Sequence, residues 1–162
     1  MSNLRVFVTG ATGYLGSAVA ARLARAGYDV AGLARSEEKA QVLKAIGVKP
    51  VIGTLEEADD IHGAFQNFDV AVHVAGSDID SALTDQQALA GIRYGAQDGR
   101  VRRVVYNSGI WVHGDMQGRT FDETAPLHPL EHVKWRAAHE DVVFDMAEYD
   151  VAAIVLRAPI VY

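Results

Sequence analysis

Leu4-Arg5-Val6-Phe7-Val8-Thr9 runs directly into Gly10-Ala11-Thr12-Gly13-Tyr14-Leu15-Gly16, and the reading of this stretch decides the fold. The first six residues are mostly apolar and end in a glycine turn, as expected of a buried strand. Tyr14 to Ala26 follows as a helix with Leu15, Val19, Leu23 and Ala26 on one face, and Gly27 stops it. Three glycines at three-residue spacing thus sit between a strand and a helix. Gly10 permits the tight bend, Gly13 lets a diphosphate approach the backbone, and Gly16 lets the helix lie close to the sheet. The free amides and partial positive charge of the helix N-terminus favour an anion there. Gly10, Thr12, Gly13, Tyr14, Leu15 and Gly16 are therefore candidate dinucleotide-binding residues.

Outward from this turn, apolar runs alternate with helix-period stretches. Strands are expected at Asp29 to Ala34, Pro50 to Ile52, Asp69 to Val74, Arg103 to Asn107 and Val151 to Leu156. Helices are expected at Ser36 to Ile46, Glu56 to Phe65, Asp85 to Asp98 and Leu130 to Glu148, with a loop from Gly114 to Pro129. Ser36 is placed to cap its helix, with Glu37 and Glu38 in the first turn. Strands apolar on both faces and joined by helices imply a parallel sheet covered on each side. The expectation is one α/β domain over residues 1–162: a doubly wound, three-layer Rossmann fold with strand order 3-2-1-4-5-6.

Composition narrows the function. The 162 residues carry a formal net charge of −6, which does not favour a nucleic-acid partner. No apolar run approaches the ~20 residues of a membrane span, and the start enters a strand without a leader-like segment. There are no cysteines, so disulfides and thiolate chemistry are excluded. A cytoplasmic protein with a small-molecule partner is expected.

The second strand ends Leu33-Ala34-Arg35-Ser36, with no carboxylate at its tip to bond a ribose 2′-hydroxyl. Arg35 offers a planar fork suited to a 2′-phosphate, and Ser36 a further hydrogen bond, so NADP is preferred over NAD.

Further segments carry a resemblance. Thr9-Gly10-x-x-Gly13-x-x-Gly16, Asp69-Val70-Ala71-Val72-His73-Val74-Ala75-Gly76, Arg103-Val104-Val105-Tyr106-Asn107-Ser108, Val112-His113-Gly114, Asp122-Glu123-x-x-Pro126 and Leu156-Arg157-Ala158-Pro159-Ile160-Val161-Tyr162 occur in that order. Together they resemble the N-terminal part of an extended or atypical short-chain dehydrogenase/reductase of the epimerase/dehydratase type. The resemblance implies a dinucleotide across the strand C-termini, with Ala75 and Gly76 near the nicotinamide ribose and Thr54 and Leu55 at the third-strand end. It also implies an oxidoreductase or epimerase acting on a carbonyl or sugar-nucleotide substrate.

Three departures from that family stand out. Its Tyr-x-x-x-Lys pair is absent, and matching the long helix by Glu140 puts His132 and Arg136 in those places. Gly109 stands at the usual serine, with Ser108 one residue early. The usual Gly-Asp after the third strand reads Gly53-Thr54. His132, Arg136 and Ser108 are thus the candidate catalytic residues: Arg136 to hold the ribose, His132 to relay a proton, Ser108 to bond a carbonyl. Trp111 is a candidate cover for the nicotinamide pocket, while Lys134 and Trp135 are expected to face elsewhere. The alternative is a non-catalytic NADP(H)-sensing module. No metal is expected, because His132, His139 and Glu140 share no ligand face. His62 and His73 are expected to be structural or exposed. The family's substrate lobe is expected to be missing after Tyr162, leaving apolar surface that favours a homo-oligomer.

Overall fold

The computed structural model describes residues 4–56, 63–76 and 81–161. Six strands form one sheet: β1 (Arg5–Thr9), β2 (Asp29–Ala34), β3 (Lys49–Ile52), β4 (Val70–His73), β5 (Arg103–Gly109) and β6 (Ala152–Ala158). Every neighbouring pair is parallel, and the order is β3-β2-β1-β4-β5-β6. Among the described residues, helices α1 (Tyr14–Arg25), α2 (Glu37–Ala45), α3 (Ala82–Asp98) and α4 (Lys134–Asp145) cover it. This is the doubly wound α/β architecture expected.

The two-residue period of β1 divides the core. Val6 and Val8 face one side and join Ala20 of α1, Leu43 of α2 and Val30 of β2. Phe7 faces the other side and joins Leu89 and Ile92 of α3, Val143 of α4 and Val104 of β5. Phe7 also meets Phe65 edge-on, with ring centroids 5.0 Å apart. A strand buried on both faces has little room for polar side chains, which is why the apolar runs in the sequence mark the strands so clearly.

Several boundaries differ from expectation. Helix α3 begins at Ala82, ahead of Asp85, so Asp85 lies inside its first turn. The long helix expected from Leu130 to Glu148 is α-helical only over Lys134–Asp145, between 3₁₀ turns at Glu131–Val133 and Met146–Tyr149. The cause lies at Val133, whose φ of −123° and ψ of 11° are not helical and whose amide bonds back to Leu130. Strands β5 and β6 outrun their expected ends and stay paired to Gly109 and Ala158. Residues 63–65 are helical, whereas the rest of the helix expected at Glu56 to Phe65, and His62, lie outside the described residues. No helix among the described residues is long and apolar enough to cross a membrane.

The strand C-termini all open at one end of the sheet. The order reverses between β1 and β4, the place where such sheets leave a crevice for a ligand. The opposite end is tied by Asp69, which accepts the Arg5 amide at 2.8 Å and pairs with Arg100.

Two outcomes follow from this packing. Gly32 in β2 lies under the glycine turn, where an added Cβ would stand 2.6 Å from the Cβ of Ala11 and 3.1 Å from Leu43. Gly32→Ala should destabilise the fold by about 1–3 kcal/mol, read from the urea midpoint. Partial burial raises the carboxyl pKa of Asp69, but the Arg5 amide and Arg100 outweigh it and hold the group below its ordinary value. A depressed pKa contributes stability that is present above the unfolded value near ~4 and is lost as pH falls. Asp69→Asn should therefore flatten the acid limb of unfolding below about pH 4, measured by circular dichroism.

Candidate functional site

At the crevice, the glycine turn is compressed from three directions. Gly10 has φ of +68°, a backbone region that glycine enters without a Cβ clash. A Cβ on Gly10 would stand 2.8 Å from the Cα of Ala75, at the end of β4. One on Gly16 would collide with the carbonyl of Gly10. The amide of Gly13 donates to the Gly10 carbonyl at 2.9 Å and closes the bend.

Helix α1 starts immediately after, and its N-terminus is bare. Gly13 is the N-cap, no side chain caps it, and the first turn holds no acidic residue. Helix α2 is the contrast: Ser36 Oγ accepts the Lys39 amide at 3.2 Å, and Glu37 and Glu38 occupy the first turn. Helix geometry leaves the first-turn amides of α1 without intrahelical partners. They carry roughly half a positive charge toward the crevice. The seat suits an anion.

A cleft of about 880 Å³ runs from this seat in both directions. Gly10, Thr12, Gly13, Tyr14, Leu15 and Gly16 form its middle. Toward β2 it is lined by Leu33, Arg35, Lys39 and Leu55. Lys39 was not picked out from sequence; its signal is its place in the first turn of α2, one turn beyond Arg35. Among the described residues neither Arg35 nor Lys39 has an ion-pair partner, whereas Lys44 of the same helix pairs with Glu37. Two expected cofactor residues are not on the wall. Ser36 caps α2 through an acceptor lone pair and keeps its O–H to donate, and Thr54 also lies off the wall, next to Leu55, which lines it.

Toward β5 the cleft is lined by Ala75, Gly76, Ser108, Trp111, His132 and Arg136. Ser108 is 3% exposed, and its hydroxyl has no hydrogen-bond partner among the described residues. A buried orphan hydroxyl on a cleft wall is a place for a ligand acceptor. His132 is exposed in the 3₁₀ turn before α4, its ring edge-on to Trp111 at 5.2 Å. Arg136 donates to the carbonyls of Gly76 at 2.8 Å and Asn107 at 3.4 Å, and lies 4.4 Å over the Trp135 ring. Trp135 also lines the cleft, against expectation, because the break at Val133 changes where α4 begins. Lys134 turns away to Glu131.

Beneath Gly76 and Arg136 lies a buried polar cluster around Asp85. Its carboxylate accepts His73 Nε2–H at 2.9 Å, the Tyr106 hydroxyl at 2.8 Å and His139 Nδ1–H at 2.6 Å. Thr9 Oγ1 reaches His73 Nδ1 at 2.6 Å. The acceptor character of the carboxylate assigns these ring protons. Burial raises the Asp85 pKa, but the hydrogen bonds from His139, His73 and Tyr106 outweigh it and hold the group well below its usual range. Burial, then the Asp85 charge, pushes the Tyr106 phenol far up, against the opposing pull of Arg136. His73 is thus structural, as one of the two readings had it. His132, His139 and Glu140 diverge to Trp111, Asp85 and Arg157 respectively.

A family model described as NAD(P)H-binding matches residues 10–157 of this chain. Over 133 residues the chain is 33% identical to the 4-hydroxy-2-methyl-3-oxo-4-farnesyl-3,4-dihydroquinoline-1-oxide ketoreductase of Stigmatella aurantiaca, covering 78% of this chain and 39% of that protein. Over 69 residues it is 44% identical to the 2-alkyl-3-oxoalkanoate reductase of Shewanella oneidensis, covering 43% of this chain and 17% of that one. The chain thus spans less than half the length of these reductases. The UDP-glucose 4-epimerase of Bifidobacterium longum, solved with NAD+ and UDP, superimposes with a TM-score of 0.81 at 19% identity, covering 94% of this chain and 52% of that one. That likeness is one of fold. With a nicotinamide-cofactor family matched along almost its whole length, the chain belongs to the NAD(P)H-binding family.

Proposed function

We propose that this chain is the cofactor-binding part of an NADP(H)-dependent oxidoreductase acting on a carbonyl substrate. One observation carries the reading: the bare N-terminus of α1 opens into a cleft that, among the described residues, has cations without ion-pair partners at one end and an orphan serine hydroxyl at the other. The residues fit the cofactor along its length. First-turn amides of α1 hold the diphosphate, and Arg35 with Lys39 holds a 2′-phosphate. Arg136 keeps donors for the nicotinamide ribose beyond the two it gives to Gly76 and Asn107. When bound, the cofactor supplies the hydride. Ser108 donates a hydrogen bond to the carbonyl oxygen, and the exposed imidazole of His132 holds the proton that the alkoxide takes up. Trp111 orients that imidazole through their edge contact. The sequence relatives named as reductases favour a ketone over a sugar nucleotide.

Two outcomes test this. Each charge-assisted bond to the 2′-phosphate is worth about 1.5–3 kcal/mol. Arg35→Ala should thus weaken NADPH about tenfold or more, and Lys39→Ala similarly, with NADH within about twofold, by fluorescence titration. Parallel losses for both nucleotides would contradict the 2′-phosphate assignment. In the full-length protein, oxidation of NADPH with a ketone panel should fall about a hundredfold in kcat for Ser108→Ala, with NADPH affinity unchanged. Tight NADPH binding with no turnover of any ketone would instead indicate a sensing module.

A further inference from the structure

The buried cluster around Asp85 has no part in the reading above, yet it joins α3, β4, β5 and α4 beneath the nicotinamide end of the cleft. Asp85 sits in the first turn of α3. Its three donors come from β4 (His73), β5 (Tyr106) and α4 (His139), and Thr9 of β1 joins through His73. Asp85 and His73 are 1% exposed and Thr9 and Tyr106 are fully buried, so water does not compete for the bonds among these four, while His139 is part-buried. A Cβ built on Gly76 would lie 3.8 Å from Asp85 Oδ1, so the carboxylate is directly under the residue whose carbonyl takes Arg136.

Arg136 therefore depends on Asp85 at three points. Of its two carbonyl acceptors, Gly76 follows β4, whose His73 the carboxylate holds, and Asn107 stands in β5 next to Tyr106, which the carboxylate also holds. Its own helix is held one turn on, through His139, whose ring packs edge-on against Trp135 at 5.1 Å. Trp135 in turn underlies the guanidinium. A single carboxylate with three donors thus sets the carbonyl frame, the helix and the aromatic platform of one arginine.

We propose that Asp85 is a positioning residue that fixes the Arg136 guanidinium for the nicotinamide ribose of the bound cofactor. The proposal rests on the cofactor reading given above. Asp85 touches neither cofactor nor substrate; it acts through Arg136. The adenosine end of the cleft, held by α1 and α2, is outside its reach.

The test is a pair of ligands and a double-mutant cycle on the full chain. NADPH spans the whole cleft, whereas 2′,5′-ADP stops at the Arg35 end and has no nicotinamide ribose. Dissociation constants are measured by calorimetry for the wild type, Asp85→Asn, Arg136→Ala and the double variant. Asp85→Asn keeps the side-chain shape, and Tyr106→Phe serves as a second variant that removes one donor and leaves the carboxylate. Asp85→Asn and Tyr106→Phe should each weaken NADPH, about tenfold for Asp85→Asn, and leave 2′,5′-ADP unchanged. In the Arg136→Ala background, Asp85→Asn should have no further effect on NADPH. A role confined to folding would weaken both ligands together and persist without Arg136, and either result overturns the proposal. Unchanged NADPH binding in both variants overturns it too, while leaving the cofactor reading intact. A wild type that binds neither ligand sinks the cofactor reading and this inference with it.

Discussion

Two glycines in contact set the geometry on which the site depends. The carbonyl of Gly10 lies where a side chain on Gly16 would begin, and Gly10 itself is pressed against the Cα of Ala75. The contact draws α1 down onto β1 and onto the end of β4, so the helix starts right at the sheet's edge. Gly13 at its N-cap brings no capping side chain. A helix that begins there, uncapped and without acidic neighbours, presents unsatisfied amides to the crevice where the strand order reverses. The same close approach that packs the fold also creates the anion seat.

The two ends of the cleft are built by different physics. Toward β2, Arg35 and Lys39 are exposed and unpaired among the described residues, ready to be neutralised by a ligand. Under the proposed function, their contribution is to discriminate one nucleotide charge from another. Toward β5, the Asp85 charge is buried with its donors in place, and the half-buried Arg136 is held by the carbonyls of Gly76 and Asn107. That end is preorganised, so little reorganisation is left for the moment of binding. The Ser108 hydroxyl and the Trp135 indole N–H are the exceptions on that wall, buried polar groups with no partner among the described residues.

What the sequence displayed was local. The β1 run, the glycine spacing and the alternation of strands with helices are short-range patterns, and they were enough for the sheet order and the cleft's position. The Asp85 cluster was invisible because it is long-range: Thr9 and His73 are 64 residues apart, and His139 and Asp85 are 54 apart. Nothing in Thr84-Asp85-Gln86 distinguishes it from an ordinary solvated helix turn. Ser36 reads both as a cap and as a cofactor ligand, and its capping role is the one formed within the chain: Oγ accepts the Lys39 amide and leaves its O–H to donate. The misplacement of Trp135 has a single cause, the non-helical backbone at Val133, which no residue spacing announces.

All of this turns on backbone amides of the first turn of α1 gripping a diphosphate. Amide hydrogen exchange, followed residue by residue with and without NADPH, reads those groups directly. Slowed exchange at Tyr14, Leu15 and Gly16 on adding the nucleotide, with the α4 backbone far from the cleft unchanged, is the result this account predicts. Exchange at those three amides that is indifferent to saturating nucleotide would contradict it.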